Sequence, residues 1–590
     1  MRTVLAGLYR VLGRFPFVCL AALVGSWAAI LAVDTASSAF ANVIMACALG
    51  LPVMFALRVF SERRLQGRAS GLALEVAGIL LVAAYAWSVP PDSSRFTGMV
   101  WFRYAVLLLG LHFAVAFTPC LAGAGEDEYW HFNWRLFARF ALTTLYSGVL
   151  WVGLAAALAS CDKLFGLKVE PRRYAELWIV MAGLFHPLFF LSGVPAAWRD
   201  PAAPAYPGGL RAFAQFALAP LVVVYVAILY AYAGKIVVQW AWPHGWIAMP
   251  VCILAVSGTL AALLLQPARA LESDRWAGWY WRYFFKALAP LSVLLILSIW
   301  RRESEYGFTE WRYYGMVTGA WLLATSLYFA VRPRAPTRAV PASLAAICLL
   351  TVWGPWGVFS VSRADQRHRL VAVLGPGGLV NGLIAPASAP VPQKEVEAVR
   401  SIVSHLIRTY GAGSVSDMLP ADLRRKVESA AERTDFGGDY QATQQIVDFI
   451  TGGARAASAA GQVAQMISVE LEPASGLPVA GYARVYHAHL RPGEVEQALG
   501  DLRVRSPAGG TMPEFRTLKG AVNGSRVEAR IRAVEDLAAG GSRRLPAPEM
   551  SAAVTAGNRE WLVVIDRLGL RKSGAARPTL TELDILVLEK

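Results

Sequence analysis

A chain of 590 residues is too long for one ordinary domain, and 56 Lys and Arg against 41 Asp and Glu leave it a net charge of +15. In a water-soluble protein that charge would raise nucleic acid as a partner. Here the arginines sit in short connections beside apolar blocks, with no nucleic-acid-binding motif or aromatic-basic platform, so no nucleic-acid partner is expected. Hydrophobic residues make up 56% of the chain but are unevenly spread, running in long apolar blocks up to about Phe359 and giving way to regularly spaced charges after Ser362.

Crossing a hydrocarbon core of roughly 30 Å takes about 20 apolar residues in a helix, and only helices or closed barrels satisfy their backbone groups there. The blocks are continuous rather than alternating, which argues against a barrel. The expected fold is a membrane all-α fold: a polytopic bundle of about 11 transmembrane helices, followed by a small soluble α+β domain. The blocks lie near 15–33, 39–57, 71–89, 100–121, 139–160, 174–194, 211–234, 246–266, 283–300, 313–331 and 340–359. Ala39-Phe40-Ala41 resembles a signal-peptidase site, but the apolar run before it is longer than a usual signal peptide, so an uncleaved anchor is expected.

Alternate connections carry 18 and 10 Lys or Arg. The richer set, with the N-terminus, Arg58 to Arg68, Arg269 to Lys286 and Arg332 to Arg338, is expected on the cytoplasmic side. Eleven spans then place the N-terminus in the cytoplasm and the C-terminal domain in the periplasm. The aromatic, charged run Glu126 to Phe140 reads as an interfacial helix leading into the fifth span, and Trp276 to Phe285 as part of an aromatic belt.

Residues 1–362 are thus read as the membrane domain, 363–392 as a linker and 393–590 as the soluble domain. A helix is expected over Lys394 to Tyr410, where Val399, Ile402, Val403, Leu406 and Ile407 share a face, and a second over Gln441 to Ile450. Strands are expected over Met466 to Leu471, Tyr482 to Leu490, Trp561 to Ile565 and Leu583 to Leu588. All six cysteines lie in or beside the apolar blocks, leaving the soluble domain neither disulfide framework nor Cys-based zinc site. His487 and His489 share one side of a strand, but two histidines without a third ligand are weak evidence for a metal. Gly375-Pro376-Gly377-Gly378 lacks the Lys-Ser/Thr of a phosphate loop. No cofactor or metal is expected.

Ionisable groups inside a membrane are costly and mark function by default. The candidates are Glu75, His112 and His186. At 1.5 Å per residue the two histidines lie about 12 Å from the cytoplasmic ends of their helices, with Glu75 one turn in from its own. They could form a proton-linked or substrate-binding cluster; the favoured alternative has Glu75 reaching the interface while each histidine satisfies a neighbouring helix carbonyl. A second group of candidates lies on two extracytoplasmic loops: Lys235, His244 and Trp246 on one, and Arg301, Arg302, Glu305, Tyr306, Glu310, Arg312 and Tyr313 on the other. The second loop reads either as a recognition surface or as a self-satisfied lid of ion pairs, with Gly307 permitting a tight turn and Thr309 placed to cap the tenth helix.

The segments YPGGLRAFAQFALAPLVVVYVAILYAYAGKI at 206–236, PHGW at 243–246, EYGFTEWRYY at 305–314, GPWGVFSVS at 354–362 and SIVSHLIRTYG at 401–411 resemble a bacterial membrane family catalogued as domain of unknown function 4153. The resemblance covers most of the chain and weakens after about residue 440. It implies the bacterial inner membrane and carries no activity or catalytic residue with it. Three functions stay open. The favoured one is a non-enzymatic envelope sensor or scaffold, with the lipid bilayer as its setting and an envelope protein or lipid as its partner. A transporter or lipid-handling permease would use Glu75, His112 and His186, with Pro187 and Pro220 opening their helices. An enzyme acting on an envelope lipid is the third.

Overall fold

In a computed structural model of the chain, the described residues are 2–65, 67–195, 206–239, 248–270, 275–387, 391–431 and 436–451, followed by the strands given below with residues 527, 531 and 550. Two compact units emerge, one of Met1–Ala385 with Pro392–Val447, the other of Pro386–Val391 with Asp448–Lys590. The helices expected in the soluble domain therefore belong largely with the apolar ones, and the strands form a body of their own.

The first unit opens with α1 (Arg2–Arg14), α2 (Pro16–Asp34), α3 (Ala41–Arg64), α4 (Arg68–Ser88), α5 (Gly98–Leu121) and α6 (Glu126–Phe165). There follow α7 (Pro171–Ser192), α8 (Gly208–Gln239), α9 (Ala248–Leu264), α10 (Arg275–Tyr306), α11 (Glu310–Val331) and α12 (Ala339–Thr351). Among the described residues, nine of these helices are long and apolar enough to cross a membrane. The chain is a multi-pass membrane protein. Where the eighth and eleventh spans are expected, α9 and α12 have 17 and 13 residues. At 1.5 Å per residue they reach only about 25 and 20 Å, less than the hydrocarbon thickness.

The expected interfacial stretch at 126–140 is not a separate element. It continues into the fifth span as the 40-residue α6, and the aromatic run 276–285 is likewise the first part of the 32-residue α10. The prolines expected to open helices are absorbed differently. Val180–Phe185 in α7 and Phe213–Leu218 in α8 are π-helical turns, and each ends two residues before its proline, Pro187 or Pro220. A proline lacks the N–H its turn needs and crowds the carbonyl four residues back. A widened turn relieves both problems while the helix stays continuous.

Between helices in lipid, packing rather than water exclusion supplies the attraction, so small residues mark the contacts. Helices α10 and α11 pair closely: a Cβ built at Gly319 would stand 2.7 Å from Ile296 Cγ1. Trp281, Phe285 and Phe329 fill the seam, with ring centroids 4.7–5.2 Å apart and each side chain at most 1% exposed.

After α12, the turn at 352–357 leads into α13 (Val358–Leu374). The stretch expected as a linker is thus helical to Leu374, then turns through a hairpin of β1 (Leu379–Val380) and β2 (Leu383–Ile384). Helix α14 (Gln393–Tyr410) buries the expected face and is followed by α15 (Ala421–Ala431), which the sequence reading missed, and α16 (Phe436–Ile450). The second unit holds β3 (Gln465–Leu471), β4 (Arg484–Leu490), β5 (Gln497–Leu499), β6 (Leu502–Arg505), β7 (Glu514–Thr517), β8 (Gly520–Ala521), β9 (Arg543–Leu545), β10 (Ser551–Ala556), β11 (Arg559–Lys572) and β12 (Thr579–Glu589). The long β11 pairs with β12 on one edge and shares its other edge between β10 and β3. Strands β5 to β8 form an antiparallel meander.

If the seam between α10 and α11 sets their approach, Gly319→Leu will lower the melting temperature of the detergent-solubilised protein. Gly148→Leu, where a Cβ meets nothing within 4 Å, will leave it unchanged. Equal melting of the two variants would remove the close-packing account.

Candidate functional site

The expected loop from Arg301 to Tyr314 is largely helix, because α10 runs on to Tyr306 and α11 begins at Glu310. Only 307–309 connect them. Gly307 has φ of +72°, the left-handed conformation glycine adopts at least cost. Thr309 occupies the N-cap position of α11 but makes no capping hydrogen bond. The turn is held from α13 instead: Phe308 N–H donates to Asp365 Oδ2 at 2.8 Å, and Gln366 Nε2 donates to the Phe308 carbonyl at 2.8 Å. Arg312 reaches back to the Gly307 carbonyl at 2.6 Å.

Glu310 at the head of α11 is 4% exposed. A buried carboxylate must be given donors or it costs several kcal/mol. Its Oε1 accepts from Ser362 Oγ of α13 at 2.9 Å and from the hydroxyl of Tyr410 at the end of α14. His405 Nε2 stands 3.4 Å from Oε2, an ion-pair distance, and has no hydrogen-bond partner among the described residues. Burial, and after it the bond to Glu310, raise Tyr410 above the ordinary phenol range, so it remains a donor at neutral pH.

Aromatic rings surround this network. Phe102 of α5 stacks on Tyr314 at 5.6 Å and meets Trp311 and Phe359 edge-on. Tyr313 donates to the Trp356 carbonyl at 2.8 Å, and Arg103 lies over Trp353 and Phe359 at 4.9 and 5.1 Å. Beside these rings, α5, α9, α11 and α12 line an open apolar cavity of about 750 Å³, with Trp101, Phe102, Trp311, Tyr314 and Trp321 in its wall.

Of the loop candidates, Glu310, Arg312 and Tyr313 come together here. Arg301 is exposed at the end of a span, and Lys235 is exposed within α8. Arg302, Glu305 and Tyr306 lie in α10, but their side chains are outside the described residues, as are His244 and Trp246 altogether. The expected lid of ion pairs is corrected for Glu310, which is satisfied by α13 and α14; among the described residues Arg312 reaches the Gly307 carbonyl. Sequence reasoning missed Ser362, Asp365, Gln366, His405 and Tyr410. Three of these lie in segments quoted for the family resemblance, and that was the available signal.

The intramembrane candidates divide. Glu75 is 3% exposed and pairs with Arg58 at 3.2 Å, while Glu62 joins Arg58 to Arg14. His112 Nδ1 lies 2.7 Å from the Leu108 carbonyl of its own helix, and His186 Nε2 lies 3.1 Å from Thr144 Oγ1. Both histidines line one cavity of about 350 Å³ with Asn133 and Phe140, and Glu75 is not in its wall. The three-residue cluster is therefore corrected to a pair. His487 and His489 fall on β4, with side chains outside the described residues. Among the described residues no group of three metal-ligating side chains occurs.

Tyr410→Phe removes one donor from the buried Glu310 carboxylate and is expected to cost about 1–3 kcal/mol. Protease cleavage within 392–447 should begin earlier on a denaturant or temperature ramp, while Tyr440→Phe at an exposed position behaves as wild type. Identical cleavage in both variants would remove the clamp.

No solved structure matches the chain. The uncharacterized protein PM1469 of Pasteurella multocida (strain Pm70) is 28% identical over 273 residues, covering 45% of this chain and 44% of the relative, so the chain spans less than half the length of that curated relative. The model of the family described as "Domain of unknown function (DUF4153)" matches residues 18–370. That match runs from the second helix through α13, and the chain belongs to this family.

Proposed function

We propose that this protein is a non-enzymatic sensor or scaffold of the bacterial inner membrane, whose extracytoplasmic part binds an envelope partner. The observation that carries this reading is the Glu310 clamp. Phe308, Glu310 and Ser362, from the 305–314 and 354–362 segments, are tied to one another and to α13 and α14, which suits a joint between the spans and the helices C-terminal to them. A buried carboxylate satisfied from two other helices favours discrete arrangements over gradual ones: its donors are in place, or water must replace them. A change in the bundle would then register in 392–447.

The charge asymmetry between connections supports a cytoplasmic N-terminus. The bonds from Tyr314 to Thr351 and from Trp321 to Ser343 lay α12 back along α11, which supports α13 and α14 lying on the same side as Glu310.

The test uses the full chain in its native membrane with a photo-crosslinking residue at exposed Glu397. The expected result is one discrete protein or lipid adduct, lost when Ser362→Ala and Tyr410→Phe are combined. A phosphatase fused after Lys590 should be active outside the cytoplasm. No adduct, or the same adduct with the clamp removed, would defeat the proposal.

One observation favours a transporter as the second reading. His112 and His186 share a cavity, and two spans in sequence carry π turns before mid-span prolines, a feature frequent at functional sites. On that reading His112→Ala with His186→Ala abolishes uptake or export of a solute at normal protein levels, and the clamp variants leave it intact.

A further inference from the structure

At the opposite end of α11 from Glu310, the connection to α12 is short and firmly held. Glu126, at the start of α6, accepts from both the backbone N–H and the hydroxyl of Thr337, and that hydroxyl oxygen lies 2.8 Å from Gln266 Oε1. Arg269 donates to the Pro333 carbonyl and lies 4.3 Å over the Trp281 ring. Thr337 is 1% exposed, and Pro333 and Pro336 fix their own φ angles. The loop is organised before anything binds it.

Five arginines surround this loop, and they are not used alike. Arg269 is engaged as described, and Arg338 lies beside Cys120 and interacts with it. Arg282, Arg332 and Arg334 are exposed and make no side-chain hydrogen bond or ion pair among the described residues. All three line one cavity of about 570 Å³ with Tyr328 and the Pro333–Pro336 turn. Like charges gathered in one recess repel unless an anion enters. The planar guanidinium fork matches the oxygens of a phosphate.

The recess also lies where a membrane presents phosphate. On α10, Trp276, Trp279 and Tyr283 are exposed around Arg282, and amphipathic rings of this kind settle at head-group level. Leu327 and Val331 are exposed on α11 just before Arg332. Basic pockets between spans are suited to anionic head groups.

We propose that Arg282, Arg332 and Arg334 form a phosphate-binding site at the membrane interface, taking its ligand from an anionic phospholipid head group or from a small soluble phosphate compound. The site stands on these three arginines alone and requires neither the Glu310 clamp nor the function proposed from it. The full chain, purified in a zwitterionic detergent, is melted with cardiolipin, phosphatidylglycerol, phosphatidylethanolamine, glycerol 3-phosphate or inorganic phosphate, and retained lipid is counted by native mass spectrometry. Cardiolipin or phosphatidylglycerol raising the melting temperature, with phosphatidylethanolamine inert, identifies the lipid source. A response to the soluble phosphates alone identifies the other.

In either case Arg282→Gln, Arg332→Gln and Arg334→Gln each weaken binding about tenfold, the scale of one lost charge-assisted hydrogen bond. The triple lysine variant retains part of the affinity. Because all three side chains are exposed, the glutamine variants should melt as wild type without ligand, which separates loss of the site from loss of the fold. No response to any anionic probe, or the same response in the triple glutamine variant, overturns the site.

Discussion

A carboxylate withdrawn from water must be surrounded by donors, and the place where this chain withdraws one decides how its first unit is joined. Glu310 heads a span, yet its donors come from Ser362 and Tyr410, 52 and 100 residues further on. The helix α13, which carries Ser362, also grips the turn before Glu310 through Asp365 and Gln366. Removing any one element leaves polar groups unpaired on the others, so these contacts stand or fall together. The aromatic rings of Phe102, Tyr314 and Phe359 add apolar contact that no hydrogen bond could supply there.

How much of this was legible depends on the dimensionality of the constraint. A bilayer imposes one length along one axis, so apolar blocks announce themselves in a linear sequence; among the described residues helices lie at the expected places, nine of them long and apolar enough to cross. Their ends are blurred because interfacial aromatic and charged residues can prolong a helix, as Glu126 to Phe140 and Trp276 to Phe285 do. The face of α14 and the four expected strands were readable from periodicity alone. The helical character of 358–374 was not, since its polar residues serve Phe308 and Glu310 rather than an amphipathic pattern.

The site shows a second limit. Counting residues gives a group's depth in the membrane but not the direction it faces around the bundle. Glu75, His112 and His186 share an approximate depth, and azimuth separates them: the acid turns to Arg58 while the histidines turn to one cavity. Loop candidates fail for another reason. Thr309 had the residue type and position of a cap, but Phe308 N–H found Asp365 from another helix, and sequence-local reasoning cannot weigh a partner that lies 57 residues away.

One helix meets both special environments of the first unit. The N-terminal end of α11 is pinned by Glu310, and its C-terminal end feeds the loop that Glu126, Gln266 and Arg269 hold. Between them Gly315 and Gly319 bring α11 against Ile299 and Ile296 of α10, a close-packed seam with little room for independent bending. A helix so held transmits tilt rather than absorbing it, because shortening or stretching costs its own hydrogen bonds while a small rotation costs only side-chain repacking. Spatial continuity is not itself coupling. But if an anion at Arg332 and Arg334 shifts the lower end of α11, the least costly response lies at the upper end, where exchanging Tyr410 or Ser362 for water disturbs a few hydrogen bonds rather than a packed seam.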